Sequence, residues 1–155
     1  MTPSPQSARL TKLRQTMSDQ GLDALLISQP ENRRYLSGFK AADAALIESS
    51  GHLLITPGQA LLMTDFRYGE EAAEEAPDYE VRVYTKGLAQ LIEEVIDGTE
   101  GLGRIERLGF EAQWLTQAAV EDLSEKLRPV DLIPTRDLVS QMRIIKDRAE
   151  IEAMD

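Results

Sequence analysis

"AALIESSGHLLITPGQALLMTD", Ala44 to Asp65, is the stretch whose reading decides the fold. Three apolar runs are separated by "SSG" and "TPG". Serine, proline and glycine supply turn backbones, and short apolar runs between turns read as strands. The stretch therefore predicts a β-meander in the first half of the chain. Its runs are too apolar to face water, so helices from the flanking sequence must cover them.

The N-terminal flank supplies such helices. "MTPSPQ", residues 1–6, reads as a flexible leader. From Ser7 onward, Leu10, Leu13 and Met17 recur at helical spacing, and Gly21 stops the pattern. "DALLIS" follows as a short buried strand. Pro30 opens a brief helix, "PENRRYLSG", which Gly38 closes.

The C-terminal flank alternates in the same way. "FRYGEEAAEEA" is helical up to Pro77, with Thr64 or Asp65 as its cap, and "YEVRVYT" alternates as a half-buried strand. "LAQLIEEVI" is a helix and "DGTEGLG" a loop. "RLGFE", "TQAAVEDLSEKLR", "VDLIPT" and "DLVSQMR" read as strand, helix, strand and helix. Last, "KDRAEIEAMD" begins a further helix, in which Asp147 and Glu150 form a capping signature. Strands and helices that alternate around a meander predict an α/β fold, three layers α/β/α with a mixed central sheet.

Composition narrows the function. The 155 residues suit one domain with a real core. Seventeen basic against 27 acidic residues give a net charge of -10, which opposes nonspecific binding to nucleic acid. No apolar run has the length of a membrane span, and the N-terminus lacks an apolar signal core. The chain has no cysteine, which excludes thiolate chemistry and fits a cytoplasmic protein. Expected partners accordingly include no nucleic acid and no membrane.

Catalytic constellations are hard to find. His52 is the one histidine and follows "SSG", which places it and Ser50 in a turn; neighbouring turn residues are not a triad. A GxSxG elbow, a Walker lysine motif, HExxH and an EF-hand loop are all absent. "GLGR", Gly101 to Arg104, precedes a strand and lacks the third glycine of a dinucleotide loop. Asp43, Glu48, Asp65 and Glu111 lie at strand edges and would have to converge to hold metal ions, as in a two-metal nuclease. The chain's acidity argues against that reading.

Three stretches carry a more specific signal: "ENRRYLSGF" (Glu31–Phe39), "LLMTDFRYGEEA" (Leu61–Ala72) and "LVSQMRIIKDRAEIEAM" (Leu138–Met154). In order and spacing they resemble the N-terminal domain of the creatinase/prolidase/aminopeptidase P family. The matching positions are Asn32, Tyr35, Gly38 and Phe39, then Asp65, Arg67 and Tyr68, then Arg143, Lys146 and Glu150. The resemblance implies a ribonuclease-H-like layout for residues 7–142, with 143–155 starting a linker helix into a catalytic "pita-bread" domain. It implies two divalent metal ions, such as Mn, Co or Zn, in that second domain and none in this one.

The expected function is thus that of a non-catalytic N-terminal domain of an Xaa-Pro dipeptidase or aminopeptidase P-like metallopeptidase. The partners implied are its own catalytic domain, a second copy in a homodimer, and a proline-containing peptide. The loop holding Phe39, Lys40 and Asp43 is expected at the active-site mouth or dimer contact. The other motif residues are expected to be structural, with Tyr35 docking its helix on the sheet. The alternative is a stand-alone interaction module from a catalytically inactive member.

Overall fold

The computed structural model describes residues 4–40, 51–97 and 104–144. Six strands, β1 (Ala24–Ile27), β2 (Gly51–Ile55), β3 (Ala60–Thr64), β4 (Glu80–Val83), β5 (Arg107–Glu111) and β6 (Asp131–Thr135), form one sheet in the order β4-β3-β2-β1-β5-β6. β2 runs antiparallel to β1 and β3, whereas the β3–β4, β1–β5 and β5–β6 pairs are parallel. The sheet is mixed, as expected. Its helices are α1 (Pro5–Asp19), α2 (Pro30–Ser37), α3 (Gly69–Glu75), α4 (Leu88–Asp97), α5 (Gln117–Lys126) and α6 (Leu138–Ile144).

Side chains alternate across each strand, so one apolar run feeds both faces. Leu25, Ile27, Leu53, Ile55 and Leu62 meet Leu13 and Met17 of α1, Leu36 of α2, Ala72 of α3 and Val139 of α6. Leu26, Leu54, Leu61, Met63 and Leu108 point the other way, toward Ala89 and Ile92 of α4 and Leu123 of α5. Three layers result, with α1, α2, α3 and α6 on one side and α4 and α5 on the other. The hairpin of β2 and β3 closes through "TPGQ": Gln59 N–H donates to Thr56 Oγ1 and Thr56 N–H to Gln59 O, each at 3.0 Å. The first arm of the expected meander, residues 44–48, lies outside the described residues.

Four local expectations change. Residues 4–6 of the expected leader belong to the fold: Ser4 caps α1 by accepting from Ser7 N–H, and Pro5 occupies the first turn. Ser4 Oγ also donates to Asp78, which ties the segment to the fold. α3 begins at Gly69 and not near Phe66, without any side-chain cap. Asp65 is spent on Arg67, accepting from its backbone N–H and its guanidinium, and the chain turns there before the helix starts. β4 is a mostly exposed edge strand and not a half-buried one. His52 lies within β2, buried, and not in a turn.

Gly38 ends α2 as expected, at φ 89°, the left-handed region that favours glycine. A Cβ there would stand 2.7 Å from the backbone oxygen of Glu75. Gly38→Ala therefore combines backbone strain with a clash against main chain. It is expected to destabilise the domain by more than about 1 kcal/mol in a denaturant melt.

Candidate functional site

The carboxyl ends of the parallel strands β1 and β5 form the crevice where open α/β sheets place their sites. β1 leaves the sheet through Ser28 and Gln29 into α2, and β5 ends at Glu111. Glu111 Oε1 accepts from the N–H groups of Ser28 (2.5 Å) and Gln29 (2.8 Å), and Oε2 accepts from Asn32 Nδ2 (2.5 Å). One carboxylate thus pins the start of α2 to β5. Gln29 completes the turn, its side-chain oxygen accepting from Asn32 N–H.

The residues after Asn32 tie α2 to other elements. Arg33 is fully buried, donates to Gly51 O on β2 at 2.7 Å, and lies over the Phe39 ring at 5.4 Å. Tyr35 is covered by the Arg9 guanidinium of α1 at 4.0 Å, and Arg9 donates to Tyr35 O. Tyr35 Oη makes a long 3.4 Å contact to Met142 O of α6. Tyr35 therefore packs α2 against α1 and α6 on one side of the sheet, so the docking expected of it runs largely through helix contacts.

Phe39 departs from expectation. It has no exposed surface and meets Tyr68 edge-on, with ring centroids 6.3 Å apart. Its side chain is core, and it does not line a mouth. Lys40 next to it is exposed. Asp43, Lys146 and Glu150 lie outside the described residues. Asp65 and Arg67 form an ion pair at 2.7 Å, with the guanidinium also 5.0 Å from the Tyr68 ring. Arg67 beside it holds the Asp65 carboxyl below its ordinary range. The motif segments thus converge: the first meets the second at Phe39–Tyr68 and the third at Tyr35–Met142.

Asp65 and Glu111 lie at the same edge of the sheet, but β2 and β1 separate their strands. Among the described residues, no group of three or more His, Asp or Glu side chains stands together as a metal would need. Sequence reasoning missed the Ser28–His52 pair, with Ser28 Oγ 2.8 Å from His52 Nδ1. Ser28 has no exposed surface, so the pair joins β1 to β2 and offers no face to a substrate.

Burial pushes the Glu111 carboxyl above its ordinary value, opposed by the N–H donors of Gln29, Asn32 and Ser28 and by the charge of Arg143 on α6. The folded state then holds the proton more tightly than the unfolded chain does. Glu111 favours the fold below the ordinary glutamate range, and this contribution is lost as pH rises through the raised folded value. Stability of the wild type relative to Glu111→Gln is expected to fall across that window, read from urea melts at stepped pH.

Residues 9–145 match the model of the family described as Creatinase/Prolidase N-terminal domain. The chain is 31% identical over 147 residues to "Uncharacterized peptidase YqhT" of Bacillus subtilis strain 168, covering 95% of this chain and 38% of that protein. Among solved structures it is similar to an Xaa-Pro dipeptidase from Bacillus anthracis, with 33% identity and a TM-score of 0.77, covering 95% of this chain and 38% of that one. It is likewise similar to the N-terminal domain of the cytoplasmic peptidase PepQ from Mycobacterium tuberculosis H37Rv, with 32% identity and a TM-score of 0.70, covering 88% and 98%. The chain thus spans well under half the length of the first two relatives. No helix among the described residues is long and apolar enough to cross a membrane.

Proposed function

The chain belongs to the creatinase/prolidase N-terminal domain family, and from that premise we propose that it serves as the non-catalytic N-terminal domain of an Xaa-Pro dipeptidase or aminopeptidase P-like metallopeptidase. One observation carries the reading. The family match spans residues 9–145, while the chain corresponds to only 38% of a dipeptidase such as that of Bacillus anthracis. The chemistry of such an enzyme then belongs to a separate domain. Among the described residues, the Glu111 carboxylate clasps the start of α2 and Asp65 pairs with Arg67. Two divalent ions, of the Mn, Co or Zn kind, would be held in that other domain.

The task left to this domain is to shape the approach to the active site and to pair with a second copy. The enzyme would act on proline-containing peptides in the cytoplasm. Lys40 is exposed, just past the buried Phe39 anchor. Lys40→Ala is expected to change the stability of this chain by less than about 0.5 kcal/mol, because its side chain is exposed. In the two-domain enzyme the same change is expected to lower kcat/KM for an Xaa-Pro dipeptide by roughly tenfold. Loss of stability with unchanged kinetics would return the loop to a structural role.

A further inference from the structure

A cavity opens beside the Glu111 clasp, between α2, the carboxyl ends of β1, β5 and β6, and the start of α6, with an empty volume of about 430 Å³ that includes its mouth. Its floor is apolar, from Leu25, Ile27 and Val139. Among the described residues, the charged groups of its lining are the carboxylates of Glu111 and Asp137, beside the neutral polar side chains of Gln29, Gln113 and Ser140. Trp114 supplies an aromatic wall. Asn32, only 4% exposed, lines the cavity, and its Oδ1 has no hydrogen-bond partner. Its Nδ2 is committed to Glu111, which fixes the amide orientation and leaves Oδ1 as an acceptor waiting for a donor.

A buried acceptor without a donor is costly, and the cavity is where a donor can enter. The charge of Arg143 already acts on Glu111, so the exposed carboxylate of Asp137 is what favours a positively charged donor, and Trp114 lines the same cavity. An ammonium group carries three donors and no acceptor, which suits the unpartnered Asn32 Oδ1 and the Asp137 carboxylate of the same cavity. We propose that this cavity is a recognition site for a primary alkylammonium group. The group comes either from a free amine or from a lysine side chain of a polypeptide. This site is independent of the peptidase reading, because it uses only residues of this chain.

The test is a solution titration of the 155-residue chain, following the Trp114 indole N–H and the Glu111 side-chain carboxyl by NMR. The probes are n-butylammonium chloride and Nα-acetyl-lysine methylamide. Tetramethylammonium chloride, a cation without N–H donors, and sodium chloride serve as controls. Saturable shifts with the first two probes, absent with the controls, are expected. Tighter binding of the lysine probe assigns the site to a polypeptide, and tighter binding of butylammonium to a free amine; either supports the proposal. Asp137→Asn removes one exposed charge at a residue with φ 59°, a conformation that asparagine tolerates, so the fold is kept. It is expected to weaken binding by roughly fivefold. Shifts that do not saturate, that appear equally with the controls, or that ignore Asp137→Asn would overturn the proposal and leave the cavity to water.

Discussion

Phe39→Ala is expected to destabilise the domain by about 3–5 kcal/mol, the range for truncating a buried aromatic. Phe39 has no exposed surface, and it fills the space between the Arg33 guanidinium and the Tyr68 ring. Removing it leaves a cavity and strips Arg33 of its aromatic neighbour. Domains of this kind are stable by only about 5–15 kcal/mol, so the change removes a large share of the total. A urea melt of the variant beside Lys40→Ala makes the contrast sharp. One residue apart, the first is expected to lose much of its stability and the second almost none. A Phe39→Ala midpoint close to wild type would mean that Phe39 is not the anchor of the α2 exit.

Glu111→Ala is expected to cost about 3 kcal/mol. It leaves the N–H groups of Ser28 and Gln29 and the Asn32 amide without their acceptor, each such orphan costing roughly 1–3 kcal/mol. The total stays below the simple sum, because burial penalises the ionised carboxylate itself. Glu111→Gln keeps an acceptor for the backbone donors and is expected to lose only about 1 kcal/mol. A double-mutant cycle with Asn32→Ala isolates the side-chain link, with an expected coupling of about 0.5–3 kcal/mol. Purely additive losses would show that Glu111 and Asn32 act separately.

The order of strands and helices was legible because apolar period and turn residues are local signals. "TPG" marked the β2–β3 turn, Gly38 marked the end of α2, and "TQAAVEDLSEKLR" marked α5. Failures came where a side chain chose between local uses. Asp65 bound Arg67 instead of capping α3. "MTPSPQ" at the N-terminus suggested a leader, yet Ser4 followed by Pro5 is itself a helix-start signal. Phe39 followed a helix stop and so looked like loop, although its side chain turns back into the core.

The Glu111 clasp was out of reach for a different reason. Glu111 and Asn32 are 79 residues apart, and no periodicity links them. Their meeting follows from β1 and β5 being parallel neighbours, a property of the topology and not of either segment. The same holds for Ser28 and His52, brought together by the antiparallel β1–β2 pairing. Ser50, the nearer serine in sequence, lies outside the described residues.

The most direct measurement is peptidase activity of the purified 155-residue chain on Xaa-Pro dipeptides, with Mn²⁺, Co²⁺ or Zn²⁺ added in turn. A non-catalytic N-terminal domain gives no turnover with any of them, while its melt shows it folded. Metal-dependent hydrolysis that disappears when Glu111 or Asp65 is replaced would contradict that role and place a catalytic centre within this chain.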